Sequence, residues 1–133
     1  MSTMAEHPNT GLLRRGYEAF DKGDILTISE LFSKDIVWHW PGKGPLCGDY
    51  AGLDAVLAIF GKMAELSGGS FRAEVHDILA NDEHGVALTR SVGSHLGKQM
   101  NMPNVDVYHI RGGKVTEFWS FAMDQHAEDE FWS

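Results

Sequence analysis

Asp106 stands in the run Val105-Asp106-Val107-Tyr108-His109-Ile110. Strand residues two apart point the same way, so Asp106 shares a face with Tyr108 and Ile110. If that face is buried, a carboxyl group sits among apolar neighbours. A buried carboxyl is either hydrogen-bonded or has a raised pKa, and either state suits proton chemistry. If the other face is buried, Asp106 meets water while Val105, Val107 and His109 meet the core. Alternation alone allows both. His39 is a second candidate. It lies in Ile36-Val37-Trp38-His39-Trp40, closed by Pro41-Gly42. Such a density of rings makes either a core layer in which His39 holds one hydrogen bond, or a pocket wall containing a titratable group. Trp38 and Trp40 share parity, which turns His39 away from them unless a bulge twists the strand. A local twist that brings His39 to a cavity rim is the expectation here. Tyr17 is either a core residue with its hydroxyl tied to the backbone or a member of the pocket.

These residues need elements to position them. Leu13, Tyr17 and Phe20 recur at helical spacing within a helix from about Pro8 to Lys22, capped by Asn9 or Thr10 and ended by Gly23. Asp24 caps a second helix carrying Ile25, Ile28, Leu31 and Phe32. Val56, Phe60 and Met63 form the stripe of a third, from about Leu53 to Leu66, whose Met and Phe side chains suit either a core or a cavity floor. After Gly69 the period changes to two. Strands are expected over Phe71 to Ala80 and Val86 to Leu96, joined by a turn at Asn81 to Gly85. In the first, Arg72, Glu74, His76 and Ile78 share a face. Val105 to Asp124 reads as a hairpin around Gly112-Gly113, because paired glycines accept the positive φ that a tight hairpin turn needs. The stretch Asn101-Met102-Pro103-Asn104 leads into it. The acidic tail ends in Phe131 and Trp132, which should dock because exposing both is costly.

The sequence also excludes much. One domain of 133 residues is large enough for a real core. A formal net charge of −8 argues against nucleic acid and anionic membrane surfaces as partners. There is no run of about 18 apolar residues to span a membrane. The start, MSTMAEHPNT, shows no apolar secretory segment, and the single cysteine, Cys47, forms no internal disulfide; both fit a cytoplasmic protein. The loop Gly42 to Gly48 lacks a phosphate-binding pattern. Seven histidines raise the question of a metal, but local zinc spacing is absent, and only distant His39, His76 and His109 could assemble a site. No metal or other cofactor is expected. Acid–base chemistry by carboxylate, histidine and tyrosine in an apolar cavity remains.

Three helices followed by a bent antiparallel sheet is an α+β pattern. Its order and motifs resemble the SnoaL-like and ketosteroid isomerase-like proteins of the nuclear transport factor two-like superfamily. The resemblance is carried by Tyr17-Glu18-Ala19-Phe20-Asp21-Lys22-Gly23-Asp24, Trp38-His39-Trp40-Pro41-Gly42, Gly48-Asp49-Tyr50-Ala51-Gly52, His76 to His84, Gly113 to Trp119 and the ending Asp124 to Trp132. It implies a cone-shaped, cystatin-like fold in which helices and a curved sheet enclose a hydrophobic cavity, and it implies dimers. Asp106 matches the acid that donates a hydrogen bond to substrate in the isomerases. Trp40 stands where those enzymes keep their aspartate base. Asp124 is the nearest match to the acid–base aspartate of the polyketide cyclases. One reading is therefore an isomerase, cyclase, dehydratase or hydrolase acting on a small hydrophobic oxygenated compound. In it a neutral Asp106 donates a hydrogen bond and His39 or Asp124 is the base. Tyr17, Trp38, Trp40, Phe60, Met63, His76, Tyr108 and Trp119 contact the ligand. The alternative, which Trp40 favours, is a binding or structural dimer with the same cavity and no turnover.

Overall fold

The computed structural model describes residues 6–133. The first five residues, and with them half of the stretch read for a secretory signal, lie outside the described residues. Helix α1 (Pro8–Lys22) carries Leu12, Leu13 and Tyr17 on its buried face and ends at Gly23, whose φ of 68° is the left-handed cap position glycine favours. The N-cap is His7, not Asn9 or Thr10: the His7 ring accepts the Asn9 amide. Asn9 is used elsewhere, its side-chain amide donating to the Asn81 and Asp82 carbonyls and pinning α1 to the strand turn below it. Helix α2 (Ile25–Leu31) is capped by Asp24 as expected. Its stripe is shorter than the pattern suggested. Ile25 is exposed, and Phe32 already belongs to strand β1 (Phe32–Trp40).

Strand β2 (Gly48–Ala51) pairs with β1 where the sequence suggested only loop and motif. Helix α3 (Leu53–Leu66) follows, with Val56, Ile59, Phe60 and Met63 buried. Then come β3 (Arg72–Ala80), β4 (His84–His95), β5 (Lys98–Arg111) and β6 (Lys114–Ala122), and the chain closes with α4 (Gln125–Trp132). Strand β5 runs straight through Pro103 rather than starting at Val105. Gly112 and Gly113 turn it into β6 with φ of 59° and 75°.

The sheet order is β2-β1-β6-β5-β4-β3. Neighbours are antiparallel except β1 and β6, the second and third strands in that order, which run parallel. Bulges interrupt β3 near His76, β6 near Thr116 and β1 before Val37, and such irregularities bend and twist a sheet. All four helices pack against the core that this curved, unclosed sheet holds. Gly85 is required at one contact: a Cβ there would strike the Leu13 side chain, so its absence lets α1 settle onto β4. Among the described residues, no helix is long and apolar enough to cross a membrane.

Candidate functional site: a buried carboxylate in an aromatic cavity

Position 106 is in the middle of the sheet. On β5, Asp106 pairs with Ser120 on β6 and Ala87 on β4. Its side chain is 6% exposed and turns toward the helices with Tyr108 and Ile110. Of the two parities the sequence allowed, this is the one adopted. The reason lies across the strands: Ala87 leaves room beside the carboxyl, and Ser120 supplies a donor.

Three hydroxyls organise the carboxyl. Tyr17 donates to Asp106 Oδ2 at 2.5 Å, and Tyr108 donates to the Tyr17 hydroxyl at 2.7 Å. Ser120 donates to Asp106 Oδ1 at 2.8 Å. Tyr17 is one turn beyond Leu13, so the contact at Gly85 and the Asn9 anchor together fix where its hydroxyl lands. Burial pushes the Asp106 carboxyl up, the hydroxyls of Tyr17 and Ser120 oppose, and the result is about 6. Both tyrosine hydroxyls are pushed well above their ordinary value by burial and by the Asp106 charge. Both carboxyl oxygens accept a hydrogen bond from a hydroxyl.

The surrounding cavity is apolar. Tyr17, Trp38, Trp40, Phe60, Met63 and Tyr108 line it, as the sequence suggested. Trp38 stacks on Phe118 with ring centroids 3.5 Å apart. The cavity volume is about 90 Å³. One water needs roughly 10–15 Å³, so there is room for a small ligand. On the β4–β5 side, Thr89, Ser91 and Asn104 make a small polar patch. The Asn104 amide donates to Ser91 Oγ, while Asn104 Oδ1 is buried without a partner.

A second carboxyl enters from α4. Glu128 is buried and lines the same cavity. Trp40 Nε1 donates to its Oε1 at 3.0 Å, and Gln125 Nε2 donates to its Oε2 at 2.9 Å. Burial pushes Glu128 up to about 7; Gln125 and Trp40 oppose this, and the charges of Asp129 and Asp106 add to it. The sequence reading left Glu128 in an acidic tail. The available signal was Asp124 as an N-cap, with Glu128, Phe131 and Trp132 following at i, i+3 and i+4. Docking the two aromatics on that face carries Glu128 inward.

Other candidates lie elsewhere. His39 sits on the outer face of the sheet and does not reach the cavity. No bulge follows Val37, so alternation holds and Trp38 and Trp40 take the inward positions. His39 Nδ1 donates to Asp49 at 2.7 Å and Nε2 donates to Glu117 at 2.6 Å, while its ring stacks on Trp119. Burial pulls this imidazole down, the two carboxylates outweigh it, and the net shift is upward. Trp119 is on the outer face beside His39 and His109, because Phe118 and Ser120 take the inward positions. His76 falls at the β3 bulge and is exposed; Ala73, not the Arg72-Glu74-His76 set, meets the cavity. Asp124 is exposed and caps α4, accepting the Ala127 amide at 3.0 Å. Burial raises the Cys47 thiol to about 11, far from a reactive thiolate. Among the described residues, no group of three histidine, cysteine or acidic side chains is placed to hold a metal.

Comparison with known proteins agrees with this architecture. A family model described as a SnoaL-like domain matches residues 13–118. An uncharacterized protein of Mycobacterium tuberculosis, Rv0034, is 30% identical over 131 residues, covering 98% of this chain and all of that one. Among solved structures, Bal32a from a soil-derived mobile gene cassette is 33% identical with a TM-score of 0.91, covering 94% of this chain and 96% of its own. IdmH of Streptomyces antibioticus, proposed to be a polyketide cyclase, shares the fold at 20% identity, with a TM-score of 0.75 and coverage of 92% and 98%. With helices laid on a curved, unclosed sheet around an apolar cavity, in the nuclear transport factor two-like and cystatin-like manner of its structural neighbours, the chain belongs to the SnoaL-like domain family.

Proposed function

We propose that the protein is an acid–base enzyme acting on a small, largely apolar carbonyl or hydroxyl compound, with Asp106 as the base. The observation that supports this most is the buried Asp106–Tyr17–Tyr108 chain inside an otherwise apolar cavity. A base works best when its pKa lies near the operating pH, and burial brings Asp106 to about 6. The proton leaves a substrate C–H or O–H for a free lone pair of Asp106. Negative charge then develops on the substrate oxygen. Once Asp106 is protonated, it holds the Tyr17 hydroxyl less tightly, so the tyrosine donors can turn to that oxygen. Such donors stabilise charge that exists only in the transition state. Returning the proton to another atom completes an isomerisation; losing a hydroxyl completes a dehydration.

The test is a screen of small cyclic ketones, enones and epoxides, read by proton exchange and product formation in NMR. Asp106→Asn is expected to slow turnover by about 10²–10⁴-fold, the usual worth of a positioned base. Binding of these compounds without exchange or turnover would favour a non-catalytic carrier, the reading that Trp40, standing where the isomerases keep a base, supports.

A further inference from the structure

Glu128 has no cation to answer it. Its two oxygens each accept one hydrogen bond from a neutral donor, Trp40 and Gln125. Among the described residues, no lysine, arginine or histidine lines the cavity that Glu128 and Asp106 share. The charged and titratable groups around α4 do not change this. Asp129, on the same helix, has the same sign and is held by Gln125 and the Lys43 amide. Lys98 of β5 spends its ammonium on the Glu130 and Ser133 carbonyls at the far end of α4. His95 of β4 lies beside Phe131 and Trp132 but bonds the Leu66 carbonyl. Buried charges are normally paired, because an unpaired one keeps the cost of leaving water.

Aromatic rings stand around Glu128. Trp40, which holds Glu128, meets Trp132 edge-to-face with centroids 6.1 Å apart, and Phe71 lies 5.5 Å from Trp132. Aromatic faces attract cations, most strongly when water is excluded. The hydroxyls next to Asp106 are spent on one another and on the carboxylate.

We propose that the cavity takes a ligand bearing a protonated amine, with the ammonium held by Glu128 among the rings of Trp40 and Trp132. Resting on the acid–base reading above, this narrows its substrate class to a small aromatic or alicyclic amine that also carries the reacting carbonyl or hydroxyl. Division of labour follows. Glu128 binds and orients the cation, and Asp106 remains free to take the proton.

Three probes of one size test the assignment: benzylamine, benzyl alcohol and benzoate, titrated against the intact protein by tryptophan fluorescence at pH 8. Benzylamine is expected to bind on the order of tenfold more tightly than benzyl alcohol, a cation–aromatic contact plus a charge-assisted hydrogen bond. Benzoate is expected to be weakest. Glu128→Gln should remove the amine's advantage, because glutamine keeps a partner for the Trp40 indole but not the charge. Asp106→Asn should leave most of that advantage in place while abolishing turnover, which separates the two assignments. If Glu128→Gln does not fold, titration of the wild type supplies the second measurement. The amine's advantage should shrink from pH 8 to pH 5.5 as Glu128 takes its own proton, and should do so equally in Asp106→Asn, where position 106 no longer titrates, with benzyl alcohol unaffected. Equal affinity for amine and alcohol, tighter binding of benzoate, or an unchanged preference in Glu128→Gln overturns the proposal. Amine preference in a protein that turns over none of the screened compounds would overturn only the catalytic reading.

Discussion

Replacing Asp106 with asparagine should stabilise the protein at neutral pH. Asparagine keeps an oxygen for the Tyr17 hydroxyl, and its amide can donate to Ser120 once that hydroxyl rotates, so the network of three hydroxyls survives. What disappears is a buried charge. The carboxyl sits at about 6 in the fold against 3.8 for a free aspartate. Each pKa unit corresponds to about 1.4 kcal/mol, so ionising Asp106 in the folded state costs on the order of 3 kcal/mol. The sign follows from proton binding. Between pH 3.8 and 6 the folded chain holds a proton there that the unfolded chain has lost, so wild-type stability falls as pH rises through this window. Above pH 6 the loss is complete and constant. Asp106→Asn lacks this dependence. Urea melts of both proteins from pH 4 to pH 8 measure it; Glu128 titrates with the same sign in both, raised somewhat less in the variant because the Asp106 charge is gone. Asparagine should gain on the order of 3 kcal/mol at pH 7 and almost nothing at pH 4. A difference that does not change with pH, or a variant less stable than wild type at pH 7, refutes a desolvated, titrating Asp106.

The other predictions concern the elements around it. Tyr17→Phe removes one of two donors to Asp106 and should raise its carboxyl by about one to two units, since a hydrogen bond to a charged group contributes roughly 1.5–3 kcal/mol; a carbon-13 titration of the carboxyl reads the shift, and a fall would contradict the hydrogen-bond account. His39→Ala should leave ligand affinity unchanged and cost less than about 1 kcal/mol. Because the folded imidazole's pKa is raised, that small cost should be present below the ordinary histidine pKa and vanish as pH rises through the folded value, which melts at pH 6 and pH 8.5 can compare. Trp132→Ala should destabilise by about 3–5 kcal/mol in chemical denaturation, as large aromatic deletions in cores do. The outer sheet face exposes Val105 and Phe121 beside Trp119, and we expect it to pair two copies of the chain. Sedimentation at micromolar concentration reports this directly, and a monomer there rejects it.

Patterns set by local chemistry were legible in the sequence. The bounds of α1 and α3 follow from apolar spacing and from glycines that end helices, and the Gly112-Gly113 turn follows from backbone conformation alone. Parity was legible only in part. Trp38 and Trp40 obey alternation, whereas His76 does not, because a bulge is a property of two paired strands and leaves little trace in one. Asp106 was recognisable as an anomaly, but its protonation was not. That depends on Tyr17, 89 residues earlier, and on Ser120 across the hairpin. Glu128 was obscured by composition: in an acidic run, each acid looks solvated until the helical face is drawn.

The parallel pairing of β1 with β6 sets an order of events during synthesis. Val37 of β1 finds its place against Glu117 of β6, 80 residues later in the chain. Helices α1 to α3 and the β3–β4 hairpin can gather as they emerge, since their contacts are largely local. The strand that joins the two ends of the sheet cannot, and α4, which brings Glu128, follows it. Closing so long a loop is entropically expensive, and topologies rich in such contacts fold slowly. The newborn chain therefore carries an open sheet and an unsealed aromatic surface until β6 and α4 have emerged. Exposed strand edges and apolar surface are what chaperones bind and what drives aggregation. Anything that delays or encumbers the docking of α4 would prolong that state.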